Sequence, residues 1–232
     1  MQRNIGRIVF KNIFVMDELN IWMKGVLSGG PVRMDGTTFY LHGGKVRVCS
    51  SRRARRKERT EGEKLSSDRF TEVRKMWRVF RRVFGELEVW RVAAREAGKA
   101  RGDTLFHALN GGCIRPGEGV WAWSAFSFAA GSLDKAAGVS ARREGWEVEL
   151  SWEAADYSRK AGAGDAVYVG YFYEGMGRTP GLVRAEGVRR EDCRARVAVP
   201  DGGMPEGTAL HLYLFFGNKA GTRFSPSAYV AT

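Results

Sequence analysis

W-E-V-E-L-S-W, residues Trp146 to Trp152, alternates apolar and polar side chains without a break. Successive side chains of a strand point to opposite faces. The stretch therefore has a dry face of Trp146, Val148, Leu150 and Trp152, and a wet face of Glu147, Glu149 and Ser151. Similar short stretches lie on both sides of it: Ala125–Phe128, Val139–Arg142, Ala166–Tyr173, Leu182–Arg189, Arg194–Val199, Leu210–Phe216 and Arg223–Val230. Turn sequences separate them, among them Gly162-Ala163-Gly164-Asp165, Asp201-Gly202-Gly203 and Gly217-Asn218-Lys219. Strands at intervals of roughly 8–16 residues with turn punctuation predict an all-β sandwich over residues 119–232.

Upstream the period changes. Phe70, Val73, Trp77, Phe80 and Phe84 recur at spacings of three and four, which predicts an amphipathic helix. Ser67 and Asp68 are the expected N-cap region, and Arg74, Lys75, Arg78, Arg81 and Arg82 fall on other faces. A second helix is expected around Leu87–Ala94, and a third, capped by Asp103, over Thr104–Leu109. Before the helices, T-T-F-Y-L-H (37–42) and K-V-R-V-C-S (45–50) flank Gly43-Gly44, a strong hairpin signal. The fold class expected is thus α+β, a short β-hairpin and a basic helical region (31–118) ahead of an immunoglobulin-like sandwich (119–232). Residues 1–30 form an apolar N-terminal segment.

Charge is unevenly distributed. The chain of 232 residues has a net charge of +12, yet residues 1–116 hold 25 Lys and Arg against 12 Asp and Glu, a net of +13. The remaining 13 basic and 14 acidic residues give the second half a net of −1. The densest stretch is S-R-R-A-R-R-K-E-R (51–59), which cannot bury itself and is expected to stay extended or weakly helical until it meets an anion. Lys45, Arg47, Arg52, Arg53, Arg55, Arg56, Lys57 and Arg59 are therefore the expected partner-binding residues. Arginine in preference to lysine suits bidentate contact with phosphates or carboxylates.

Two resemblances rest on particular stretches. V-E-L-S-W-E-A-A (148–155) resembles the second strand of fibronectin type III domains, which implies that Trp152 anchors the core. A-V-Y-V-G-Y-F-Y (166–173) is similar to the central strand that follows. P-E-G-T-A-L-H-L-Y-L-F-F-G-N-K-A-G (205–221) is similar to the penultimate strand and final turn, with Leu210 where that class usually carries a tyrosine. G-K-V-R-V-C-S-S-R-R (44–53), in the order hairpin, arginine run, helices, sandwich, resembles an uncharacterised protein family common in Bacteroidetes and their mobile elements. That family has no established activity; the resemblance implies a phage-like or mobile-element role.

Catalytic signals are lacking in the sequence. His42, His107 and His211 fall on a hairpin, a short helix and a sandwich strand, and no His-x-x-x-His or His-x-His spacing occurs. There is no G-x-S-x-G, no Walker A sequence and no dinucleotide fingerprint. Cys49, Cys113 and Cys193 are far apart and read as idle thiols in a reducing compartment. The expectation is a non-enzymatic structural, assembly or binding protein without catalytic residues, cofactor or metal, docking through its basic arm onto a protein assembly or its own copies. Sequence-nonspecific nucleic-acid binding is the second reading, and a small-molecule ligand is not expected. Residues 5–23 are apolar-rich but broken by Arg7, Lys11, Asp17 and Glu18, so neither a membrane span nor a secretory signal is expected. Met16, Met23 and Met34 are alternative starts. The expected location is cytoplasmic or virion-associated.

Overall fold

Alternation in the sequence becomes two antiparallel sheets. The computed structural model describes residues 23–50, 58–205 and 207–232. It forms two compact units, the first ending at Arg59 and the second spanning Thr60–Thr232. The apolar segment called over 1–30 falls mostly outside the described residues, as do Arg52, Arg53, Arg55, Arg56 and Lys57.

The first unit carries a three-stranded antiparallel sheet, β1 (Val32–Met34), β2 (Thr37–His42) and β3 (Lys45–Ser50), in that order. The β2–β3 hairpin has the bounds read from the sequence. Gly43 and Gly44 both take positive φ, 57° and 71°, as a type I′ connection demands. The register sets Val32 beside Phe39 and Phe39 beside Val48, so these share one face with Leu41 and Val46. Arg33, Tyr40, His42, Lys45 and Arg47 share the other.

The second unit opens on three helices, α1 (Glu61–Phe84), α2 (Val89–Glu96) and α3 (Gly102–Asn110). Helix α1 begins about two turns before the Ser67–Asp68 position expected. The reason is a capping box: Glu63 N donates to Thr60 Oγ1 at 3.2 Å, and Thr60 N donates to Glu63 Oε2 at 3.0 Å. Asp103 lies inside α3 rather than capping it, paired with Arg101 at 2.6 Å. A small hairpin, β4 (Ile114–Arg115) with β5 (Gly119–Val120), follows.

The sandwich has seven strands: β6 (Ser140–Glu144), β7 (Glu147–Ser151), β8 (Ala166–Tyr173), β9 (Gly181–Arg189), β10 (Arg194–Ala198), β11 (Leu210–Gly217) and β12 (Ala228–Ala231). One sheet runs β10-β7-β6 and the other β12-β11-β8-β9, all antiparallel. The chain is α+β, with an immunoglobulin-like sandwich behind a hairpin and helices, as expected. Trp152 lies in the core between the sheets beside Val148, Leu150, Val169, Leu212 and Phe216. Its Nε1 donates to Arg190 O at 2.9 Å.

Strand β11, L-H-L-Y-L-F-F-G, is buried at every residue. Leu210, Leu212, Leu214 and Phe216 face the inter-sheet core, while Tyr213 and Phe215 belong to a second core with Phe80, Phe84, Phe106 and Phe128. The four-stranded sheet is thus the middle of three layers. A strand covered on both faces reads as an apolar run rather than an alternating one.

One expected strand is absent. Ala125–Phe128 leaves a short 3-10 turn, Trp123–Ala125, and then runs between the helices and the middle sheet. Its backbone groups are taken by side chains instead of a ladder. Ser127 N donates to Asn110 Oδ1 at 2.8 Å, Asn110 Nδ2 donates to Ser127 O at 3.0 Å, and Phe128 N donates to Ser227 Oγ at 3.0 Å. Asn110 is fully buried, and its amide satisfies both the backbone donor and the backbone acceptor of Ser127. The last strand starts at Ala228 rather than Arg223, because Ser225 and Pro226 intervene and the Ser225 hydroxyl accepts from Phe216 N at 2.9 Å.

Candidate docking surface

Helix α1 turns Val73, Met76, Phe80 and Phe84 into the core. At 100° per residue, Arg74, Arg78, Arg81 and Arg82 then project on the opposite side. All four are exposed. None has an ion-pair partner among the described residues; Arg74 alone has a ring contact, its guanidinium 5.8 Å from the Phe70 ring. Lys75, beside them, is the exception, 3.5 Å from Glu72. Trp77 and Phe80, near enough in sequence to suggest base stacking, are packed against Phe106 instead.

The sandwich treats its charges differently. On the outer face of the β10-β7-β6 sheet, Arg142 pairs with Glu144 at 2.9 Å, Arg194 with Glu149 at 3.3 Å, and Arg196 with Glu147. Arg184 and Arg189 lie 3.9 Å from Glu186 and Glu191. Such exposed pairs add little stability, but they cancel the local field. On the outer face of that three-stranded sheet the charge balance seen beyond residue 116 is therefore local as well as global.

Of the residues singled out in the sequence, Lys45 and Arg47 are exposed on one face of β3, and the register adds Arg33 to that face. Arg59 is exposed and directly precedes the Thr60 cap in the chain. Arg52, Arg53, Arg55, Arg56 and Lys57 lie outside the described residues. The α1 arginines were legible as off-stripe positions, and their spacing of four and three was the signal that they share a face.

The histidines stay apart, and among the described residues no cluster of His, Cys, Asp and Glu could hold a metal ion. His211 is buried in a polar relay that the sequence did not suggest. Its Nε2 is 2.5 Å from Glu174 Oε2 and its Nδ1 2.9 Å from Tyr229 Oη, and its ring stacks on Trp123 with centroids 4.2 Å apart. Burial raises the Tyr229 phenol above its usual range, and the Glu174 carboxylate adds to that.

No known protein family matches the chain. No curated protein matches it either. Solved structures similar to part of it include the FN1–FN3 domains of chicken CNTN1, 12% identical with a TM-score of 0.33, over 45% of this chain and 33% of that one. The Clostridium perfringens spore cortex lytic enzyme SleM is similar at 14% identity and a TM-score of 0.29, over 43% of this chain and 27% of that one. Rat CD45 extracellular domains d3–d4 are similar at 11% identity and a TM-score of 0.29, over 45% and 51%. The chain spans about half or less of the length of each. The similarity to fibronectin type III and immunoglobulin-like domains is distant and assigns no family. No helix among the described residues is long and apolar enough to cross a membrane.

Proposed function

We propose that the protein is a non-enzymatic assembly or binding protein whose basic half docks on a negatively charged partner while the sandwich supplies a rigid body behind it. The observation that carries this reading is the contrast in charge pairing. Arg74, Arg78, Arg81 and Arg82 stand exposed on one helix face without ion-pair partners among the described residues, whereas Arg142, Arg194 and Arg196 on the outer face of the β10-β7-β6 sheet are each matched by a carboxylate. A row of unpaired guanidinium groups raises the local concentration of anions and favours bidentate contact with carboxylates or phosphates. Lys45, Arg47 and the 52–59 run extend the same chemistry along the chain. Resemblance of the 44–53 stretch to the Bacteroidetes and mobile-element family supports an assembly role of phage-like origin.

An acidic protein surface is favoured over nucleic acid because Trp77 and Phe80 are turned inward, and Phe70, the exposed aromatic of α1, is already engaged by the His107 ring and the Arg74 guanidinium. Binding of polyglutamate and of random-sequence duplex DNA, each titrated over salt, tests the proposal. Polyglutamate binding that weakens with salt and is lost on changing Arg74, Arg78, Arg81 and Arg82 together to Glu is the expected result. Tight duplex binding at physiological salt, with a log–log slope of about −0.9 per phosphate neutralised, moves the assignment to nucleic acid. Absence of binding to either polymer removes it.

A further inference from the structure

Apart from the cationic helix face, the second unit holds a cleft of about 690 Å³ lined by the β4–β5 hairpin and the turn between β8 and β9. That is within the size range of small-ligand sites, roughly 300–1,000 Å³. The two walls are fixed to each other through backbone. Val120 N donates to Gly177 O at 2.9 Å, and a Cβ on Gly177 would lie 2.4 Å from Val120 O, so only glycine permits this approach.

Two indoles line the cleft, and both are held. Trp121 donates from Nε1 to Gly112 O at 3.3 Å, and the Arg115 guanidinium lies 3.7 Å from its ring centroid. One face of the ring is therefore occupied, yet the residue keeps 43% of its surface exposed. Trp123 is stacked on His211, and its carbonyl accepts from Tyr213 Oη at 2.8 Å. Large exposed apolar rings cost solvation, and rings fixed in this way have already lost the rotamer freedom that binding would otherwise remove.

The charges in the cleft cancel. Its charged residues are Arg115, Glu118, Glu174 and Arg178. Arg115 is 3.7 Å from Glu118, Glu174 is bonded to His211, and Arg178 is 2.5 Å from the buried carboxylate of Glu72. An anionic ligand would meet Glu118 and Glu174, and a cationic one would meet Arg115 and Arg178. The complement to two indoles edged by balanced, preoriented donors and acceptors is a neutral ring with C–H faces and a hydroxyl rim. Such a ring stacks on the open face of Trp121, with Trp123, held between His211 and Phe172, at the edge of the cleft, and divides its hydroxyls between carboxylate acceptors and guanidinium donors. We infer that this cleft is a binding site for a neutral saccharide.

The inference is independent of the docking surface, and so is its test. Cellotriose, maltotriose and triacetylchitotriose are titrated into the full chain, read by calorimetry and by tryptophan fluorescence. At least one is expected to bind with a Kd on the order of 1 mM or tighter, unchanged by salt. Trp121→Ala should weaken that binding at least about tenfold, as loss of a stacking platform does. Trp121→Phe, which keeps a platform, should retain it to within about threefold of wild type, which guards against a merely misfolded alanine variant. Simultaneous Glu substitution of the four α1 arginines should leave saccharide binding intact. Absence of binding by all three trisaccharides overturns the inference, and so does binding that Trp121→Ala leaves unchanged.

Discussion

Gly170 shows how a single position sets the spacing of two layers. It lies on β8 facing the helices, and a Cβ there would fall 2.3 Å from the Phe128 ring, which is itself fully buried. The ring cannot swing aside, because Phe80, Phe172 and Tyr213 surround it within 5.8 Å. Gly170→Ala should therefore cost about 1–3 kcal/mol through overpacking, although alanine suits a strand better than glycine does elsewhere. Thermal or urea unfolding reads the effect; an unchanged midpoint would show that the helical layer yields at this point. Nothing in the A-V-Y-V-G-Y-F-Y stretch announces this constraint. A glycine inside a strand signals close approach, but the approaching residue is 42 positions away in the chain.

Signals that act within a few residues of the chain are legible in the sequence, and those that act across the fold are not. The β2–β3 hairpin, β8 and β11 could be placed from alternation, glycine turns and apolar runs, which act within a few residues. Ala125–Phe128 has strand-like composition but no strand partner, since its backbone bonds go to Asn110 and Ser227, the latter 99 residues from Phe128. Those bonds exist only once the layers have met. The start of α1 was missed for a different reason: the Thr60–Glu63 box sits directly behind the arginine run, and a strong charge signal masked a weaker capping signal. Thr60→Ala removes one half of the box and should cost about 1 kcal/mol, with loss of helical signal confined to the first turns. Circular dichroism and hydrogen exchange over residues 61–66 check this, and full protection there in the variant would contradict it. The same masking hid the candidate surface. Arg74, Arg78, Arg81 and Arg82 were legible as off-core positions, but which of them stay unpaired depends on where the carboxylates of the folded chain end up.

For the whole molecule, burial of the middle sheet fixes the alkaline limit of stability. Burial raises the phenols of Tyr171, Tyr173, Tyr213 and Tyr229 above their usual value, and Tyr213, with its hydroxyl bonded to Trp123 O, is shifted furthest. In the unfolded chain these groups ionise near pH 10. A group whose folded pKa is raised binds its proton more tightly in the folded state. Its contribution is complete below the unfolded value and is lost as pH climbs through the folded one. Melting temperature should therefore hold level towards about pH 10 and then fall, with a shallower decline in Tyr213→Phe. A wild-type melting temperature unchanged well above that pH would show that these phenols ionise freely in the folded protein.

The double-sided burial of β11 also bears on how the chain is made. Its helix-facing partners Phe80, Phe84 and Phe106 leave the ribosome first, and the strand that covers them is synthesised more than a hundred residues later. At ordinary translation rates that interval is on the order of ten seconds. Until β11 arrives the nascent helices can be covered only in part, by Phe126 and Phe128 and later by Phe172 of β8, a form that chaperones hold and that premature termination would leave prone to clumping.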